Sequence, residues 1–97
     1  MVDLLSLASF APHAGETFRV RYDPEHALEM ELVEVRPLGG AGMNRREPFA
    51  LTFKGPATPI LPQQIYRIEH GAVGDHDLFI VPIGPGQGGL LYEAIFT

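Results

Sequence analysis

Ninety-seven residues, 45% apolar and 20% charged, suit one globular domain: too short for two ordinary cores, too apolar for disorder. A formal charge of −5, from twelve acidic and seven basic residues, gives nucleic acid no basic stripe and disfavours anionic membrane surfaces. With no cysteine, disulfides, thiol catalysis and cysteine-type zinc sites are excluded, and a reducing cytoplasm is the expected compartment.

The chain opens with Asp3 as a candidate N-cap for a short helix carrying Leu4, Leu5, Leu7, Ala8 and Phe10, stopping before Pro12. Asp3, and the lack of any Lys or Arg before Arg19, give this segment the wrong charge for a secretory leader. Residues 16–22 then alternate, with Phe18, Val20 and Tyr22 on one face and Thr17, Arg19 and Arg21 on the other. After the turn cluster Asp23-Pro24-Glu25-His26, residues 28–36 alternate again, and the phase slips at Leu32-Val33, which predicts a β-bulge. Hairpin pairing of Phe18 with Leu32, Val20 with Met30 and Tyr22 with Leu28 would put Arg19 beside Glu31 and Arg21 beside Glu29.

Segment 37–47 has neither strand nor helix pattern. Phe49, Leu51 and Phe53 mark a third strand, and a Pro-rich connection over 56–62 leads to a fourth over about 63–70. The next run, 78–83, is apolar on both faces and predicts a strand covered on both sides. Gly84 to Gly89 reads as a turn, and 90–96 as the sixth strand. Pro and Gly, nine and eleven residues, fall between these runs, as in a chain of short strands and many turns. The fold class expected is therefore mainly β: a six-stranded antiparallel meander forming a small barrel or sandwich, with a short N-terminal helix. Its core should comprise Phe18, Val20, Leu32, Phe49, Leu51, Phe53, Ile68, Ile80 and Phe96, with Phe10 over one edge.

No residue cluster demands catalysis. The glycines at 39–42 and 84–89 lack the Gly-Lys-Ser/Thr of a phosphate loop and the following helix of a dinucleotide loop, so turn chemistry explains them. Ser6 and Ser9 are the only serines, and neither sits at a sharp strand-to-helix turn. Glu29 and Glu31 face arginines across a hairpin, which makes an ion-pair lattice a better reading than paired catalytic carboxylates. The one cluster with metal-type ligands is His70, Asp75 and His76, where a hairpin would bring zinc or manganese donors together. Its spacing matches no signature, and a wet hairpin rim is the plainer explanation. Met43, Asn44, Arg45 and Arg46 form a positive tip on an acidic chain, within the longest irregular segment. They are the candidate contact for an acidic protein surface, against the plainer reading of a solvated loop.

The strings Pro48-Phe49-x-Leu51-x-Phe53-x-Gly55-Pro56 and Leu61-Pro62-Gln63-x-Ile65-Tyr66-x-Ile68-Glu69-His70 resemble a family of small bacterial single-domain proteins of unknown function. The ending, Val81-Pro82-Ile83-Gly84 with Tyr92-Glu93-Ala94-x-Phe96, is similar too, as are Phe10 and Gly15-x-x-Phe18. The resemblance spans essentially the whole chain and carries over no catalytic residue. It implies company with phage-tail-like or collar-type fibre proteins, and so a structural or assembly role. A non-catalytic protein-binding or assembly module is the first reading, partnered by such a protein or by a second copy of the chain. A small-ligand-binding β-barrel is second, and it needs an interior pocket where side chains are expected. A metal-assisted enzyme is third. No cofactor is implied.

Overall fold

A computed structural model of the chain describes residues 7–38 and 48–96. The alternating segments form β1 Thr17–Asp23, β2 His26–Pro37, β3 Phe49–Gly55, β4 Gln64–His70, β5 Gly74–Gly86 and β6 Gly89–Phe96. All pairings are antiparallel, and the strands close into a barrel in the order β1-β2-β3-β6-β5-β4, with β4 returning to β1. Of the two architectures expected, the barrel is the one formed. It is not one continuous meander but two three-stranded meanders joined by β3–β6 and β4–β1 pairing.

The period-two pattern decides which residues fill the interior. Phe18, Val20, Met30, Leu32, Phe49, Leu51, Phe53, Ile68 and Ile80 are almost wholly buried, joined by Tyr66, Tyr92, Leu78 and Ala94. Phe96, expected in the core, is half-buried and stacks on Phe49 with ring centroids 4.5 Å apart. Both ends are closed. Helix α1, Leu7–Phe10, sets the Phe10 ring 5.6 to 6.3 Å from those of Phe96, Phe49 and Phe18. The α-helix stops before Pro12, as expected, and a 3-10 turn, Ala11–His13, follows it directly. Proline fits the first turn of a helix, where its missing N–H has no partner to lose. Asp3, the expected cap, lies outside the described residues.

At the other end, the crossing between β3 and β4 buries Leu61, whose N–H donates to the Tyr92 hydroxyl over 3.0 Å. The Tyr66 hydroxyl donates to the Pro62 carbonyl in the same loop. These two phenols give the irregular Pro-rich segment that caps the hydrophobic interior two polar partners.

The first hairpin corrects the expected register. Phe18 pairs with Met30 rather than Leu32, and Arg19 with Glu29 rather than Glu31. The cause is the turn. Asp23 Oδ1 accepts the Glu25 N–H at 2.8 Å and lies 2.9 Å from His26 Nδ1, which tightens the loop to Pro24-Glu25. A two-residue shift preserves the faces, so Arg19 and Arg21 still point outward. The bulge expected at Leu32-Val33 is present, with the β2–β3 register shifting between Leu32 and Glu34.

The glycine-rich stretch 84–89 is mostly strand. β5 runs to Gly86 and β6 starts at Gly89, leaving Gln87-Gly88 as the turn. A Cβ on Gly89 would lie 2.1 Å from the Gly55 carbonyl oxygen, so this glycine permits the close approach of β3 and β6. Strand β5 also departs from the expectation of two covered faces. Leu78 and Ile80 point into the core, but Phe79 is 53% exposed on the outer wall.

Candidate functional site

Three features stand out on this frame: a histidine–glutamate cluster at the α1 end, an ionic lattice on the outer wall, and an apolar pair beside it. In the first, inward parity along β4 places Tyr66 and Ile68 in the core and His70 last, where its ring stacks on Phe18 at 4.3 Å. The segment leaving the 3-10 turn is tied to β2 by Gly15 N–H to Leu32 O and Leu32 N–H to Glu16 O. This brings Glu16 Oε1 to 2.7 Å from His70 Nε2 and 2.9 Å from His13 Nδ1. The His13 bond, then the His70 bond, holds the Glu16 carboxyl below its ordinary value of 4.5.

The three ligand-type atoms lie within 4.8 Å of one another, and two imidazoles with a carboxylate are a known zinc donor set. The far side of His70 opposes that use. Its Nδ1 accepts both the Ala72 and the Val73 N–H, each at 3.1 Å, so the neutral ring carries its hydrogen on Nε2, facing Glu16. A metal on Nε2 would move that hydrogen to Nδ1, against two backbone donors, whereas a ligating histidine needs an acceptor there. As bonded, the cluster ties His13 and Glu16 to the end of β4.

The expected donor set His70, Asp75 and His76 is not gathered. His70 and His76 share the inward parity, and His76 Nε2–H donates to Val73 O at 2.8 Å. Asp75 pairs with Glu69 on the outward face. Glu16 and His13, the residues that do meet His70, were missed because Glu16 and His70 lie 54 positions apart in the chain. The available signal was His70 itself, a polar residue on the buried parity of β4.

On the outer wall, Glu69 takes a forked contact from Arg21, with Nε at 2.8 Å and Nη2 at 3.1 Å, while Arg19 stands 3.7 Å away. The Arg21 bond lowers the Glu69 carboxyl below 4.5, and the same bond raises Arg21. Arg36 reaches from β2 across β3 to Glu93 of β6, at 3.4 Å. Ala50 and Thr52 of β3, although on the outward parity, are buried. Next to the lattice, Ile65 of β4 and Phe79 of β5 face each other directly, 65% and 53% exposed. Ile95, on the outward parity of neighbouring β6, is also exposed.

The candidate contact residues Met43, Asn44, Arg45 and Arg46 lie outside the described residues. Their stem is described: Leu38 N–H donates to Pro48 O at 2.9 Å, at the barrel end where α1 sits.

Against models of known families, residues 5–96 match DUF6916, a domain of unknown function. The chain belongs to this family. No curated protein and no solved structure matches it. The DUF6916 match covers both caps and all six strands, so the family defines a whole barrel rather than a fragment of one. Among the described residues, no helix is long and apolar enough to cross a membrane.

Proposed function

We propose that this DUF6916 barrel is a non-catalytic protein-binding or assembly module that works through its outer wall. The observation that carries the reading is the exposed Ile65–Phe79 pair on a barrel whose interior is filled and whose ends are capped. Contiguous exposed apolar surface on a small soluble-type fold marks a contact site. A ligand-binding barrel is the weaker reading, because tightly packed aromatics occupy the space a ligand would need. The metal-assisted enzyme is weaker still, given the direction in which Glu16 and His70 are bonded.

The partner class rests on the sequence resemblance, which supports a cytoplasmic accessory role beside a tail-fibre or collar-like protein. The tip Met43 to Arg46 serves as a second, salt-sensitive contact for an acidic surface. Affinity capture with immobilised wild type and Phe79→Ser tests the central reading. The expected result is one or more proteins held by the wild type and lost from the folded variant. Identical recovery by both would remove the outer wall from consideration.

A further inference from the structure

We infer that the outer face of the β4–β5 hairpin is a self-association surface, whose occupant is the same hairpin of a second copy of the chain. The inference rests on the protein-binding reading and names its partner. Its first support is geometric self-complementarity. Along this face, Ile65 lies opposite Phe79, and one step towards the hairpin tip Arg67 lies opposite Asp77. A two-fold axis parallel to the strands and set on the β4–β5 seam exchanges the two columns. It lays Phe79 on the partner copy's Ile65 and Arg67 on its Asp77, the isologous arrangement of a closed dimer.

Charge is the second support. Arg67 and Asp77 are exposed, and among the described residues neither forms an ion pair within its own chain. Both are therefore available to a partner. In the next row the axis would set Glu69 near the partner copy's Asp75, a like-charge contact. Glu69 is already neutralised by the Arg21 fork. The outward charges of β2, by contrast, are Glu29, Glu31 and Glu34 before Arg36, a face two copies of a −5 chain would repel through.

The third support is area. The Ile65–Phe79 pair offers apolar surface on the order of a few hundred Å², enough for the dry centre of an interface that buries about 800 Å² per partner. The charged row then forms its rim.

Sedimentation equilibrium of the full chain, from about 10 μM to about 1 mM, reads the association directly. The expected result is a monomer–dimer equilibrium for the wild type. Phe79→Asp should be monomeric throughout with its thermal transition retained. Arg67→Asp and Asp77→Arg should each weaken the dimer at least about tenfold by opposing like charges. The double variant Arg67→Asp/Asp77→Arg should restore it, a rescue that no other surface predicts. Should Phe79→Asp fail to fold, the charge reversal carries the test alone. A wild type monomeric at all concentrations overturns the inference, as does a double variant no tighter than the singles. Another protein or the chain's own first six residues would then be the covering partner. The wider binding reading stands apart from this result and falls only if Phe79→Ser leaves capture unchanged.

Discussion

Two phenylalanines on adjacent parities separate what holds this fold from what the fold presents. Phe53 sits in the core edge-on to Phe18, with ring centroids 5.6 Å apart, while Phe79 has half its surface in water. Phe53→Ala should cost about 3–5 kcal/mol, a large part of a small domain's stability. Phe79→Ala should cost under about 1 kcal/mol. Urea unfolding of the two variants checks the contrast, and similar losses would mean that Phe79 is packed in solution. The carboxyls supply a second residue-scale test. Glu16 and Glu69 are both held below 4.5 by partners that exist only in the folded chain. Each stabilises the fold fully above the unfolded value, and the contribution is lost as pH falls through the lower, folded value. Glu69→Gln should therefore be less stable than wild type at pH 7, with the gap narrowing in acid below about pH 4.5. A gap that stayed constant from neutral pH into acid would place the Arg21–Glu69 fork outside the folding equilibrium.

At the scale of elements, the strands were legible because alternation is local, and the bulge at Val33 was legible because it shifts the phase of that alternation. The first hairpin's register was missed by two residues. Face assignment cannot distinguish registers two apart, and the Asp23 bonds that choose between them depend on turn geometry. The β3–β6 pairing and the Glu16–His70 bond were not legible either, since both join segments far apart in the chain. The apolar run over 78–83 signalled a strand correctly but not its bare outer side. From sequence alone, an exposed Phe79 cannot be told from one under a covering element. The hairpin between β4 and β5 gives an element-scale prediction. His70 holds the Ala72 and Val73 N–H groups through Nδ1, a position that an asparagine oxygen can take. His70→Asn should retain most of the turn's stability, whereas His70→Ala should lose about 1 kcal/mol more through two unsatisfied donors. Equal losses in thermal unfolding would show that ring stacking on Phe18, rather than the turn bonds, is what His70 contributes.

For the whole molecule, a closed barrel has few ways to bind anything. Closure removes the sheet edges as templates, the filled core removes the interior, and the two caps remove the mouths. Among the described residues, what is left is the outer wall; the candidate contact residues at 43–46 lie outside them. Arg45→Ala/Arg46→Ala should leave the thermal transition unchanged and reduce only the salt-sensitive part of any captured complex. Unchanged capture at both low and high salt would remove Arg45 and Arg46 as contact residues. The central claim, that the β4–β5 wall binds a second copy of the chain, is tested most directly by a dilution series of amide ¹H–¹⁵N spectra on the wild type. Between about 1 mM and about 10 μM, the amides of Ile65, Arg67, Asp77 and Phe79 should shift together along one binding curve. Spectra that do not change with concentration, or changes centred on His13, Glu16 and His70, would contradict the account.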